Sequence, residues 1–250
     1  MTTDDRIAEL VRWMRESSRV VALTGAGVST DSGIPDFRSP KSGLWARVDP
    51  MQVASIDGFH ADPVAFYAFW RERFGSLAES EPNLTHRVLA QLESRGLLRA
   101  IVTQNIDGLH QRAGSVEVLE VHGTWRTARC LQCGAGDDTM RLLAELRPGE
   151  RPTCAVCAGL VKPDVVLFGE PLARDFEKAE RAIDRCDLLL AIGTSMEVWP
   201  VAGLAPRAHR AGARVVVINR EETAIDDEAD LVIHVELSAF AQRVARELDF

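Results

Sequence analysis

The sequence predicts an α/β fold: a parallel sheet covered by helices on both faces, with a second small lobe built from insertions. Three observations lead there. Short runs are apolar at every position, so neither face of the strands they form meets water. Helical patterns of apolar residues alternate with those runs. Two segments rich in proline, glycine or cysteine break the alternation.

Taken in chain order, residues 4–16 (DDRIAELVRWMRE) place Ile7, Leu10, Val11 and Met14 at helical spacing with acids in the first turn. Residues 20–23 (VVAL) run straight into glycines and read as a buried strand. Strands of the same kind are expected at 100–103, 118–121, 165–168, 188–192, 215–218 and 231–235. Helices are expected at 84–94, entered by Pro82-Asn83 and closed by Gly96, and at 174–185, 201–210 and 238–248. The interruptions are 34–82, with a helical aromatic stretch at 64–74, and 123–163, which holds four of the five cysteines. The expectation is a single domain over 1–250. Its large lobe takes in about 1–34, 83–122 and 164–250, and its small lobe about 35–82 (helical) and 123–163.

Composition narrows the function. Hydrophobic residues at 46% and charged residues at 26% exclude a disordered or fibrous chain. The 250 residues suffice for a core without disulfide staples. Against 29 Lys and Arg stand 37 Asp and Glu, a net charge of −8 with no basic run, so nucleic acid is not expected as a partner. No apolar stretch approaches the roughly 20 residues of a membrane helix. The N-terminus, MTTDDRIAEL, lacks a basic-then-apolar signal, and a cytoplasmic protein with no membrane partner is expected.

Six motifs carry chemistry. TGAGVSTDSGIPDFR (24–38) follows the first strand, and Gly25 and Gly27 at a strand–helix turn let backbone approach a pyrophosphate, with Ser29 adding a hydroxyl. Thr30 stands where the full dinucleotide fingerprint has its third glycine, so the motif is either a non-standard dinucleotide loop or a structural turn. TQNIDGLHQRAG (103–114) sets Gln104, Asn105 and Asp107 at a strand's carboxyl end, as ligand contacts or as turn formers; His110 reads as a cap or surface residue. VHG (121–123) offers His122 as a general base, since imidazole titrates near neutrality, or as an ordinary strand-end histidine. CLQC (130–133) and CAVC (154–157) have the spacing of a tetrahedral zinc site. Four thiolates leave no open position, so such a metal would be structural; a redox dithiol is the alternative. Cys186 reads as a small buried residue. VKPDVVLFGE (161–170) and GTSMEVWP (193–200), with Asn219 ending the VVVIN run, provide possible phosphate or ribose donors, or ordinary strand-to-loop turns.

In this order and over about residues 20–235, the motifs resemble those of the sirtuins, the NAD-dependent protein-lysine deacylases. The resemblance implies a Rossmann-like domain with a small zinc-binding lobe and a cleft between them where NAD and acyl-lysine meet. It further implies a pyrophosphate loop of Gly25, Ala26, Gly27 and Ser29, and a cofactor loop of Asp36, Phe37 and Arg38. Gln104, Asn105, Ile106 and Asp107 correspond to nicotinamide and ribose contacts; Gly193, Thr194, Ser195, Asn219 and Glu221 correspond to the adenosine side. Val166, Phe168, Gly169 and Val198 correspond to the acyl-lysine tunnel, His122, with Asn105 and Asp107, to the catalytic residues, and Cys130, Cys133, Cys154 and Cys157 to ligands of one structural Zn2+. The implied reaction transfers the acetyl group of a protein lysine to ADP-ribose, releasing nicotinamide and O-acetyl-ADP-ribose, and needs no side-chain nucleophile. The alternatives are a preference for succinyl, malonyl or other acyl groups, and ADP-ribosyl transfer or NAD hydrolysis on the same fold. Sirtuins that favour succinyl groups carry Tyr and Arg three apart in the helix after the cofactor loop. This chain has Tyr67 and Trp70, which read as core or pocket wall, with Arg71 and Arg73 as solvated residues, and acetyl-lysine is the expected substrate. The oligomeric state is left open, a monomer included.

Overall fold

The computed structural model describes residues 1–36 and 48–249. Phe37 and Arg38 of the expected cofactor loop lie outside the described residues. The first half of the chain runs α1 (Thr3–Glu16), β1 (Val20–Thr24), a 3-10 helix (Ala26–Ser32), α2 (Pro50–Val53), α3 (Ile56–Ala61), α4 (Pro63–Glu79), α5 (Leu84–Ser94), β2 (Ala100–Thr103), α6 (Leu109–Arg112) and β3 (Val118–Glu120). It continues with β4 (Gly123–Cys130), β5 (Gly136–Asp138), α7 (Thr139–Glu145), β6 (Val161–Val165), α8 (Asp175–Ile183), β7 (Leu188–Ile192), α9 (Leu204–Arg210), β8 (Arg214–Asn219), β9 (Leu231–His234) and α10 (Leu237–Glu247).

Six strands form one sheet in the order β3-β2-β1-β7-β8-β9, with every pairing parallel. Ranked by position in the chain, these strands read 3-2-1-4-5-6, the doubly wound order that reverses at its centre. The period-two alternation of side chains splits each apolar run between two cores. Val20 and Ala22 face α1, α5 and α10 through Leu10, Leu89 and Val244. Val21 and Leu23 face α8 and α9 through Ile183 and Ala205. Local signals set the helix starts. Thr2 and Asp5 close a capping box on α1, and Asn83 caps α5 by accepting from the N–H groups of Thr85 and His86.

The cysteine segment and the helical insertion meet over a second sheet, β5-β4-β6, which is antiparallel. An aromatic cluster from α3, α4 and β4 joins them. Trp70 stacks on Phe74 at 5.5 Å between ring centroids, and Phe74 on Trp125 at 5.9 Å. Tyr67 donates its hydroxyl to the Val161 carbonyl at 2.9 Å, anchoring α4 to β6.

The structure corrects one expectation about elements. The apolar run at 165–168 is not a strand of the parallel sheet: β6 ends at Val165 and belongs to the antiparallel one. Beyond it the backbone is held piecemeal, Val166 N–H on the His122 carbonyl and Phe168 N–H on the Ala54 carbonyl. The helix expected after the first glycines is a 3-10 helix of seven residues, which bears on how its N-terminus meets a ligand.

Candidate functional site

The order reversal between β1 and β7 opens a crevice at their carboxyl ends, where open α/β sheets take ligands. The loops leaving the two strands cross there at backbone contact. Gly25 N–H donates to Ile192 O at 3.2 Å and Gly27 N–H to Gly193 O at 2.9 Å. A Cβ on Gly27 would stand 2.9 Å from the Cα and carbonyl oxygen of Gly193, and one on Gly193 would stand 2.6 Å from Val28 N. Gly193 also holds a φ of +61°, in the region that glycine adopts without strain. The glycines thus serve the crossing itself. Because it engages the N–H groups of Gly25 and Gly27, the amide this loop offers a ligand is that of Ala26.

Over the crossing lies a cavity of about 670 Å³, within the range of small-molecule sites. Gly25, Ala26, Gly27 and Asp36 line it on one side, and Gln104, Asn105, Ile106 and His122 line its floor. Gly193, Thr194 and Ser195 line it beside the 25–27 loop, and Asn219 and Glu221 line it as well. Val166, Phe168, Gly169 and Val198 form the remaining wall. Motifs scattered over nearly 200 positions of sequence therefore converge on one space. Gln104 ties three of them together: its N–H donates to Thr24 O at 3.0 Å, its amide to Thr194 Oγ1 at 2.9 Å, and its carbonyl faces His122.

His122 stands where the chain leaves the large sheet for the small one. Gly123 follows it with a φ of +74°, and a Cβ there would lie 1.9 Å from the Asp164 carbonyl oxygen, so only glycine lets β4 start against β6. His122 Nδ1 is 3.0 Å from the Gln104 carbonyl oxygen. A carbonyl only accepts, so Nδ1 carries the proton and Nε2 is the basic nitrogen of the neutral ring.

Ser29 and Asp107 are buried and are not among the residues that line the cavity. Ser29 donates its hydroxyl to Asp107 Oδ2 at 2.7 Å, and Leu109 N–H donates to Asp107 Oδ1 at 2.9 Å. Asn105 Nδ2 donates to Gly25 O at 3.0 Å and to Ser29 Oγ at 3.1 Å. Burial pushes the Asp107 carboxyl above its ordinary range, opposed by the Ser29 hydroxyl and the Leu109 N–H. Through the Ser29 hydroxyl, Asp107 is linked to the Asn105 amide. Arg71 and Arg73 are half-buried rather than fully solvated, and both are engaged. Arg71 donates to the carbonyls of Leu143 and Leu146, and the Arg73 guanidinium lies 3.6 Å from the Phe69 ring centroid. Residues that the motif reading passes over also line the cavity, among them Glu170, Trp199 and Arg220. Each adjoins a residue that the motifs single out, so proximity along the chain is the available signal.

His110 is buried instead of capping or lying on the surface. Its Nε2 lies 3.0 Å from Thr24 Oγ1, and its ring meets that of His86 edge-on at 4.9 Å. Burial pushes His110 down to about 3, with the His86 ring adding to the shift, and pushes His86 down to about 4.

The four paired cysteines offer sulfur atoms that all lie within 4.8 Å of one another. Tetrahedral Zn–S bonds of about 2.3 Å set sulfurs about 3.8 Å apart, and the Cys130–Cys157 and Cys133–Cys154 pairs stand at 3.5 and 3.6 Å. The knuckles repeat each other. Gln132 N–H points at Cys130 Sγ and Val156 N–H at Cys154 Sγ, each at 3.4 Å. Gly134 (φ +74°) and Ala158 (φ +59°) turn the chain after each pair. Backbone donors aimed at sulfur favour thiolates, and the donor set fits one zinc with no position left for water.

A family model described as "Sir2 family" matches residues 25–200. An NAD-dependent protein deacetylase of Sulfolobus acidocaldarius is 44% identical over 239 residues, covering 96% of this chain and 92% of that protein. A solved structure of Sir2 with a p53 peptide and NAD+ superposes with a TM-score of 0.89 at 37% identity, covering 97% of this chain and 98% of that one. Another, of a Sir2 variant with a deacetylated p53 peptide and 3'-O-acetyl-ADP-ribose, superposes at 0.92 with 37% identity and the same coverage.

Two outcomes follow. Purified protein should hold one zinc per chain, and Cys154→Ser should lose it and lower the melting temperature, since binding the metal is folding free energy for such a lobe; elemental analysis without zinc and with all four thiols titratable would contradict this. The histidine pair sets an acid limit. An unfolded chain takes up these protons near pH 6.5, whereas the folded one resists until about pH 4. The pair's contribution is complete above pH 6.5 and is lost as pH falls below it. Asp107 and Glu120, whose carboxyls burial raises, act in the opposite sense. The measurement is therefore a comparison: the fall in melting temperature between pH 6.5 and 4.5 should be shallower in His110→Gln, and equal slopes would refute the assignment.

Proposed function

The chain belongs to the Sir2 family, and from that premise we propose that it removes acetyl groups from protein lysines with consumption of NAD, forming nicotinamide and O-acetyl-ADP-ribose. The observation that carries the reading is His122, an imidazole on the cavity wall whose Nδ1–H is held by the Gln104 carbonyl, which leaves Nε2 for a proton. NAD, when bound, supplies an anomeric carbon that becomes electrophilic as nicotinamide departs, together with the ribose hydroxyls.

The chain's own residues do the rest. The crossing of β1 and β7 loops takes the pyrophosphate, with Ala26 N–H as donor. Thr194, Ser195, Asn219 and Glu221 hold the adenosine side, and Asp36, with Phe37 and Arg38, the nicotinamide ribose. Gln104, Asn105 and Ile106 surround the nicotinamide, with Asp107 linked to the Asn105 amide through the Ser29 hydroxyl. Val166, Phe168, Gly169 and Val198 guide the acyl-lysine and exclude water, the substrate backbone adding as a strand between their two segments. His122 Nε2 takes a proton from a ribose hydroxyl, which activates it towards the acyl carbon. Zinc, held by Cys130, Cys133, Cys154 and Cys157, supplies cohesion of the small lobe. The lobe boundaries given above belong to this proposal, as does a cytoplasmic setting, where thiols stay reduced for metal binding.

The direct test is incubation with NAD and an acetyl-lysine peptide followed by mass analysis. Free lysine peptide and O-acetyl-ADP-ribose are expected; a peptide gaining ADP-ribose, or NAD hydrolysis without deacetylation, would overturn the proposal. His122→Ala should bind NAD as the parent does in calorimetry yet lose about 100-fold or more in turnover; near-parental turnover would remove His122 as the base.

Acyl choice has a physical basis as well. The Tyr67 hydroxyl is given to Val161 O and the Trp70 N–H to Val53 O at 2.6 Å, while Arg71 and Arg73 are engaged elsewhere. Among the described residues of α4, no cation faces the cavity, and a buried carboxylate without one costs several kcal/mol. Acetyl peptides should exceed succinyl peptides in kcat/KM by at least about tenfold, a cautious share of that cost. Better turnover of the succinyl peptide would contradict this.

A further inference from the structure

The loop that carries Val166, Phe168 and Gly169 has no regular secondary structure, yet it forms one wall of the cavity. What gives it a defined shape is a lysine from the neighbouring strand. Lys162 on β6 is buried, at 6% exposure, an uncommon place for an ammonium. Its three N–H donors meet three acceptors. Nζ donates to Pro163 O at 3.0 Å and to Val165 O at 2.7 Å, and it pairs with Glu170 Oε2 at 3.0 Å. The same Glu170 oxygen accepts the Leu167 N–H at 2.9 Å, while Glu170 N–H closes a turn on Leu167 O at 3.0 Å across Gly169 at φ +91°. The ammonium and carboxylate thus span the loop, gripping its backbone at 163, 165 and 167.

The grip reaches the reacting end of the site. Val166 N–H, between two gripped residues, donates to the His122 carbonyl at 2.8 Å. On the far side, Phe168 N–H donates to Ala54 O at 2.9 Å and Ile56 N–H to Phe168 O at 3.0 Å. A slack loop would therefore displace both the peptide wall and the backbone of the general base. Lys162 itself does not line the cavity, so it acts only through what it holds.

We propose that Lys162 and Glu170 are positioning residues, an ion-paired clamp that sets the 165–169 loop in the register needed to receive the acyl-lysine segment. The proposal rests on the deacetylase reading given above. An ion pair that buries its ammonium and leaves its carboxylate half-buried is not explained by stability alone, since well-packed apolar replacements of buried pairs are often neutral or stabilising.

The test separates holding the loop from holding the fold. Parental turnover of an acetyl-lysine peptide is measured first, and its absence would overturn the function, clamp included. Glu170→Gln keeps an acceptor for Leu167 N–H but removes the charge; Lys162→Met removes the ammonium; the double variant Lys162→Met/Glu170→Met removes both charges. Each single variant should raise KM for the acetyl peptide on the order of 10- to 100-fold, the scale of an ångström's misplacement. For Lys162→Met, whose wild-type side chain does not line the cavity, NAD affinity by calorimetry should stay within about twofold of the parent, as expected of a site remote from the ligand. The double variant should regain melting temperature over Lys162→Met without regaining peptide KM. If Lys162→Met does not fold, Glu170→Gln and the double variant decide. Peptide KM unchanged in a folded variant, or KM restored together with melting temperature, would overturn the clamp and leave the function standing.

Discussion

Everything in the site depends on two strand-end loops passing each other at van der Waals contact of their backbones. β1 and β7 are neighbours at the point where the sheet order reverses, so their loops turn to opposite faces and must clear one another at once. Side chains at Gly27 or Gly193 would collide with backbone that has no room to yield. The crossing brings residues 25–27 and 193–195 onto one space, and the Gln104 amide on Thr194 locks the next strand end to both. A dinucleotide site on this sheet is the direct result of that geometry.

The second lobe supplies what a sheet edge cannot, a wall facing the crevice. The chain crosses between lobes at His122–Gly123 and returns through β6 into the loop ending at Glu170, and the two passages are joined by Val166 N–H on the His122 carbonyl. The backbone of His122 and the 165–169 loop are therefore directly joined. Stacked aromatics tie α4 to β4, and a four-cysteine cluster suited to zinc brings the two knuckles together. A closed tetrahedral site of this kind is structural rather than catalytic.

Much of this is legible in the chain, and the exceptions have physical causes. Runs such as LLLAI at 188–192 announce strands buried on both faces, and every parallel strand lies within a residue or two of its expected place. Residues 165–168 mislead because an apolar run shows burial but not which sheet, or whether any sheet, receives it. His110 misleads for a different reason. Polar residues near a strand end look alike in sequence whether they cap a turn, face solvent or pack inside, and only the Thr24 contact and the neighbouring His86 ring place this one in the interior. Lys162 stands in a quoted motif, yet nothing in its neighbours signals that the ammonium turns inward. By contrast, the cysteine spacing leaves few geometries open, and all four sulfurs meet.

The central claim is that the cavity is an NAD site created by the glycine crossing, and calorimetric titration of NAD into Gly27→Ala, with circular dichroism to verify folding, tests it most directly. The methyl group cannot be accommodated without parting the loops at 25–28 and 193, so the folded variant should bind NAD at least about tenfold more weakly than the parent, the effect of about 1.4 kcal/mol. A folded Gly27→Ala protein that binds NAD with parental affinity would contradict it.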